Sequence, residues 1–342
     1  MINIRKNNPE YRDFIRRKNE KNLRQRTKRK KRKYTIKKYT RKDKKPYRIF
    51  SVPKIFSILE NPEETISFFN NVIKEIEKIY SNNILYIFLV DMEDVQKITG
   101  DALMYFLTVM RNYRVRGCKG IYWRGNFPKN EDISNFLKCS GFLGYLDTPK
   151  CNLMHTDENI QIKSGSLIEP NVMKSICDFT NDKLNTDRKY SRFLANMLTE
   201  LMTNTKDHAY NSNNKFDFCW YVFVENSQDY IRYTFMDNGL GIPTTVNKRL
   251  GEKIKEYINI DKEYKYIESC LSGNFLRTET NLTHRGKGLP EINSYYNDNK
   301  MSNLTIISNH AYYQKNKSKD LINHLIGTIV YWEIDKNQRG DI

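Results

Sequence analysis

Glu200-Leu201-Met202-Thr203-Asn204-Thr205-Lys206-Asp207-His208-Ala209-Tyr210 sets a carboxylate, a carboxamide and an imidazole at positions i, i+4 and i+8. On a helix these positions form one stripe. Phe193, Leu194, Met197, Leu198 and Leu201 carry an apolar stripe of the same period beside it, which predicts a helix over 189–210. Two glycine turns follow, Asp237-Asn238-Gly239-Leu240-Gly241-Ile242-Pro243 and Arg285-Gly286-Lys287-Gly288-Leu289-Pro290. Such turns leave backbone N–H groups bare for a ligand. A polar helical stripe followed by two of them suits a metal-bound nucleotide.

The segments around the turns agree with this. Residues 215–225 and 229–237 read as two strands joined at Asn226-Ser227. In the second, Ile231, Tyr233, Phe235 and Asp237 alternate onto one face, so Asp237 ends a buried edge where its carboxylate needs a donor. The exocyclic amine of adenine is one such donor. Gly286 and Gly288 open an expected helix, where the dipole and free N–H groups favour phosphate, and Lys287 lies in the same turn. The charged, tyrosine-rich stretch 244–284 between the turns suits a lid. Strands are expected at Leu304–Ile307 and Gly327–Trp332.

Charge divides the chain unevenly. Residues 1–48 hold 22 Lys and Arg against 4 Asp and Glu, which is the whole of the protein's net +18. Residues 1–47 are therefore expected to be a disordered basic arm that binds nucleic acid or an anionic surface through 1–46, with Tyr34, Tyr39 and Tyr47 interleaved for base stacking. The longest apolar run, Ile84–Val90, is far short of the ~20 residues of a membrane span. Arg5 and Lys6 are followed by more charge, so no signal peptide is expected. The six cysteines form no C-x-x-C pair, which points to reduced thiols and a cytoplasmic location.

Residues 48–150 alternate strand and helix patterns. Ile84–Val90 reads as a central strand, and Asp101–Tyr113 as a helix with Leu103, Phe106, Leu107 and Met110 on one face. Gly120–Trp123 reads as a strand, and Asp132–Cys139 as a second helix. The run Leu89-Val90-Asp91-Met92-Glu93-Asp94-Val95-Gln96-Lys97-Ile98-Thr99-Gly100-Asp101-Ala102-Leu103 resembles the core of a STAS domain, the fold of bacterial anti-sigma-factor antagonists. Gly125-Asn126-Phe127-Pro128 and Ser140-Gly141-Phe142-Leu143 resemble its later turns. Phosphorylated members carry an Asp-Ser-Ser run before the helix. Here Thr99, Gly100 and Asp101 stand there, which leaves Thr99 or the Asp101 carboxylate as substitute acceptors.

The boxes of residues 190–335 are similar to those of the GHKL (histidine kinase-like) ATPase superfamily. That group takes in DNA gyrase subunits, heat-shock chaperones, mismatch-repair ATPases, sensor kinases and anti-sigma-factor kinases. E-x-x-x-N, D-x-G-x-G, G-x-G and a Gly-Thr pair on a late strand occur here in the family's order, and His208-Ala209-Tyr210 lies nearest the anti-sigma-factor kinase version.

The resemblance implies an α/β fold: a two-layer GHKL (Bergerat) sandwich over 151–342, with a connector at 151–188 and the lid at 244–284, behind a smaller STAS-like domain. It implies that Glu200 is the catalytic base and that Asn204 is the Mg²⁺ ligand. Nucleotide contacts would come from Asn204, Asp207, His208, Asp237, Gly239, Gly241, Ile242, Arg285, Gly286, Lys287, Gly288, Leu289 and Thr328. ATP and Mg²⁺ are the expected cofactors.

The expected function is a bacterial regulatory ATPase whose nucleotide state controls docking of the STAS-like part or of a protein partner. The alternatives are a serine/threonine kinase of the anti-sigma-factor type and an ATP-switched nucleic-acid-binding adaptor. A homodimer is left open.

Overall fold

The apolar run Ile84–Val90 yields a central strand. In the computed structural model, which describes residues 47–79, 86–115, 121–146, 154, 156–186, 190–209, 218–246, 261–273 and 288–337, β3 (Tyr86–Asp91) lies between β1 (Tyr47–Ser51) and β5 (Ile121–Gly125) and runs parallel to both. Of residues 114–115 and 206–209 the backbone alone is described. A two-residue ladder joins β2 (Ile55–Phe56) to β4 (Lys97–Ile98). Parallel neighbours need crossover helices, and α1 (Pro62–Ile79) and α2 (Gly100–Val115) supply them. On α1, Ile66, Phe69, Val72 and Ile76 repeat at helical spacing and are buried, while Glu63 and Glu64 in its first turn and Lys78 in its last complement the helix dipole. Helix α3 (Glu131–Cys139) is capped by Asn130, whose side chain accepts the Ile133 N–H at 3.1 Å.

A larger sheet contains β6 (Asn159–Gly165), β7 (Trp220–Asn226), β8 (Tyr230–Asp237), β9 (Ser302–Gln314) and β10 (Lys319–Asp335). Its order is β6-β7-β8-β10-β9, antiparallel throughout. Helices α4 (Pro170–Leu184), α5 (Ser191–Ala209), α6 (Tyr264–Leu271) and α7 (Gly288–Asn297) share a core with one face of this sheet. Phe193, Leu194, Met197, Leu198 and Leu201 of α5 are all buried in it, as their spacing predicts. Across it Tyr233 stacks on Trp332 with centroids 5.0 Å apart, and its hydroxyl lies 2.6 Å from that of Thr180.

Two expectations change. The stretch 151–188, read as a connector with helices, does hold helix α4 but also contributes edge strand β6. The closing strands are far longer than 304–307 and 327–332, because they run on as one long hairpin whose outer half seats on the N-terminal part. There Glu63 accepts N–H groups from Ile322 at 3.1 Å and Asn323 at 3.2 Å, and the Tyr105 hydroxyl accepts the Ile326 N–H at 3.0 Å.

Helix α2 departs furthest from its expected one-sided face: every residue from Asp101 to Val109 is buried. Phe106 packs edge-on against Trp123 of the small sheet, while Thr108 reaches Met236 of β8 at 3.9 Å. Buried apolar residues between Phe56 and Leu143, among them Phe69, Phe88, Leu103 and Phe106, therefore form one hydrophobic cluster with Tyr221, Phe223, Met236, Ile307 and Ile329. The stretches expected as domains, 48–150 and 151–342, lie within a single compact unit, 46–342. The basic arm expected over 1–47 lies outside the described residues except for Tyr47. No helix among the described residues is long and apolar enough to cross a membrane.

This packing bears on the serine that the STAS-like run lacks. A Cβ on Gly100 would lie 2.3 Å from the Phe223 ring, so the start of α2 has no room for a side chain. Asp101 is 1 % exposed, and its carboxylate accepts the N–H groups of Ile58 at 2.5 Å and Leu59 at 3.3 Å. It is a buried turn anchor and not an accessible acceptor, which corrects the expectation that its carboxylate substitutes for the missing serine. Gly100→Ser is expected to lower stability by about 1–3 kcal/mol through overpacking, read as a lower urea midpoint at unchanged slope.

Candidate functional site

Strand pairing brings distant parts of the sequence into one row. Asp237 at the end of β8 stands opposite Thr328 of β10, and Thr328 stands opposite Ser308 of β9. The Thr328 hydroxyl bonds to the half-buried Asp237 carboxylate, whose Oδ1 also accepts the Gly239 N–H at 2.7 Å. The Ser308 hydroxyl lies 3.0 Å from that of Thr328 and accepts the Ile242 N–H at 2.8 Å. Burial raises the Asp237 carboxyl to about 6, and the bonds from Gly239 and Thr328 oppose the rise.

The first glycine turn is held over this row from behind. Gly241 sits at φ 85°, and a Cβ there would meet the Asn309 side chain at 2.4 Å. Asn309 lies at a register shift between β9 and β10, with φ 54°. Its side-chain oxygen accepts the Thr244 N–H at 3.2 Å and the Thr244 hydroxyl at 2.9 Å, while its amide donates to the Leu240 carbonyl at 3.1 Å. A bulge beside a site re-aims side chains in this way. Asn238 pins the turn from the opposite side: its oxygen accepts the Cys219 N–H at 2.7 Å and its amide donates to Asn112 of α2 at 2.9 Å.

Ser308, Asn309, Asn238 and Asn112 escape the sequence reading. The one signal for the first two is the polar pair that directly follows the apolar stretch Leu304–Ile307.

Glu200 and Asn204 are half-buried one turn apart on α5. A Cβ on Gly288 would lie 2.5 Å from Glu200 Oε2, so the first residue of α7 is packed directly against this carboxylate. α7 runs beside α5, with Phe193 and Tyr295 rings 5.5 Å apart and Asn196 donating to the Tyr295 hydroxyl at 3.2 Å. Ile242 and Leu289 pack at the edge of one core.

The structure thus joins Glu200 to Gly288, and Asp237 to Gly239 and Thr328. The side chains of Asp207 and His208, and all of Arg285, Gly286 and Lys287, lie outside the described residues. So do residues 247–260 and 274–284 of the expected lid. Its middle is anchored: Glu263 accepts the His310 N–H at 2.9 Å, and Asp320 accepts the N–H groups of Glu263 and Tyr264 at 3.1 Å each. No group of three or more His, Cys, Asp or Glu among the described residues could hold a metal.

No protein-family model matches this chain, and no curated protein matches it.

The raised carboxyl makes a stability prediction. Folded Asp237 holds its proton up to pH about 6, well above the unfolded value of 3.8. Its contribution is therefore fully present below the unfolded value and is lost as pH rises through about 6. Asp237→Asn is expected to abolish this component, so the rise in urea midpoint between pH 7 and pH 5 should be smaller in the variant than in the wild type.

Proposed function

We propose that this chain binds ATP with Mg²⁺ and hydrolyses it, as a GHKL-type regulatory ATPase. The reading rests on one juxtaposition: Glu200 lies against Gly288 while Asp237 is bonded to Gly239 and Thr328, so all four sequence boxes meet in pairs. A carboxylate can accept about four hydrogen bonds, so Asp237 keeps capacity for an adenine amine beside its two present donors. Gly288 opens α7, where free N–H groups and the helix dipole suit phosphate. Asn204 would contribute one Mg²⁺ ligand, and phosphate and water oxygens would complete the shell. The metal would neutralise charge on the phosphates. Glu200 orients or deprotonates the attacking water, since phosphoryl transfer depends on positioning and charge more than on covalent chemistry.

What the nucleotide controls is narrowed by the packing. Releasing the N-terminal part would expose Tyr221, Phe223, Met236, Ile307 and Ile329, each worth about 1.5–3 kcal/mol when fully buried. A part so embedded stays in place through a nucleotide cycle, and the regulated docking falls to a separate protein partner.

Glu200→Ala is expected to lose hydrolysis by about 10²–10⁴-fold while ATP affinity stays within about threefold. Asp237→Asn is expected to lose binding itself. Wild-type affinity should fall about tenfold between pH 7 and pH 5 as the Asp237 carboxyl, near 6, takes up its proton. Isothermal titration and phosphate release measure these effects. Hydrolysis at the wild-type rate in Glu200→Ala would remove the assignment of the base. Label from γ-³²P-ATP on a protein substrate, in place of free phosphate, would replace hydrolysis by kinase transfer.

A further inference from the structure

Asn309, which holds the first glycine turn, is itself held by a histidine. Leu325 stands opposite Asn309 in register, and His324, beside it on β10, brings its Nε2 to 3.3 Å from the Asn309 amide nitrogen. The orientation of that amide is fixed by two groups with no choice of role. The Thr244 N–H can only donate, so it meets Oδ1 at 3.2 Å, and the Leu240 carbonyl can only accept, so it meets Nδ2 at 3.1 Å. Asn309 therefore presents an N–H to His324, and Nε2 receives it as a bare lone pair. That requires a neutral ring with its proton on Nδ1. A proton on Nε2 would set donor against donor. Turning the Asn309 amide to meet it would in turn set an N–H against the Thr244 N–H. The Leu325 carbonyl, 3.5 Å from the Asn309 amide nitrogen, lies too far to replace the histidine well.

We propose that neutral His324 is a positioning residue for the first glycine turn, acting through Asn309, and that its protonation loosens the turn. The groups around the ring set where it titrates. From β9, the His310 ring centroid lies 5.2 Å from that of His324, and His310 Nδ1 lies 3.0 Å from the Leu321 carbonyl. From the segment before α6, the Glu263 carboxylate accepts the His310 backbone N–H at 2.9 Å. From α1, Glu63 is bonded to Ile322 and Asn323. Partial burial of the ring and then His310 lower the His324 pKa from its ordinary 6.5, and Glu263 opposes them. The neutral ring is thus the resident form at neutral pH. The stability it lends is present above 6.5 and is lost as pH falls through the lower folded value. Weaker nucleotide binding from a loosened turn rests on the ATP reading above, whereas the link from His324 to the turn does not.

The test is an NMR pH titration of the full chain, carried in an Asp237→Asn background so that the Asp237 carboxyl, near 6, does not overlap. The neutral His324 ring should carry its proton on Nδ1 and titrate below 6.5, and the Thr244 amide shift should move with the same midpoint. His324→Gln supplies a neutral acceptor at every pH, so the Thr244 shift should stay flat through that midpoint. His324→Leu removes the acceptor, and at pH 7 the Thr244 amide should exchange about two- to tenfold faster, the factor set by one neutral hydrogen bond. The His324 side chain keeps part of its surface in water, so both variants should fold. With Asp237 restored, ATP affinity at pH 7 should fall by the same factor in His324→Leu and stay within about twofold of wild type in His324→Gln. A neutral ring protonated on Nε2 overturns the proposal, and so does a Thr244 shift that ignores His324 or titrates unchanged in His324→Gln. Thr244 following His324 in a protein that does not bind ATP upholds the link and removes the nucleotide reading alone.

Discussion

Helix α2 carries no exposed side chain from Asp101 to Val109, and the rest of the fold is arranged around it. A helix between two sheets loses all water contact on its sides, so each polar group on it needs a protein partner. Asp101 takes two N–H groups from the Ile58–Leu59 turn, Thr108 donates back to the Met104 carbonyl at 3.1 Å, and Asn112 takes the amide of Asn238. Gly100 lets the Phe223 ring approach the start of the helix. The same helix is core for the small parallel sheet and backing for the large antiparallel one. For this reason 46–342 behaves as one unit although its two parts have different sheet architectures.

The candidate site inherits its geometry from that backing. Strands β8 and β10 are held on both faces, by Tyr233 and Trp332 in one core and by Met236 and Ile329 in the other. Their register is therefore rigidly specified, since a one-residue slip would turn each core face outward. With register set, Asp237 must face Thr328, and the shift between Leu325 and Thr328 brings Asn309 under the first glycine turn. Two short polar side chains, Ser308 and Asn309, then do for the turn what a regular ladder cannot: they bond a loop that has left the sheet.

What the sequence discloses follows the same physics. Helix α5 is legible because Phe193, Leu194, Met197, Leu198 and Leu201 keep the 3.6 period, and the Asp237 face is legible from strict alternation through Ile231, Tyr233 and Phe235. Strand β6 is obscured because Asn159, Gln161 and Lys163 dilute its two isoleucines on an edge. The outer half of β10 is obscured because Ile322 is 85 % exposed and polar residues interrupt its pattern. Helix α2 displays its all-round apolar character openly, yet its second partner lies more than a hundred residues later, beyond any local period. Ser308, Asn309 and Asn112 owe their roles to register and docking, which single residues do not announce.

The Asn112–Asn238 bond is the polar link between the first glycine turn and α2. Among the described residues the Asn112 amide finds no acceptor of its own, so this junction is incompletely satisfied. A movement of the Gly239–Gly241 turn that displaced Asn238 would reach α2 through this neutral hydrogen bond, worth about 0.5–1.5 kcal/mol net, beside the shared core. That corresponds to a bias of about two- to tenfold in any equilibrium of α2, far too little to detach a helix buried on every side. Movement of the first glycine turn through this bond therefore adjusts α2 in place. A larger response has to come from a surface that is not already buried.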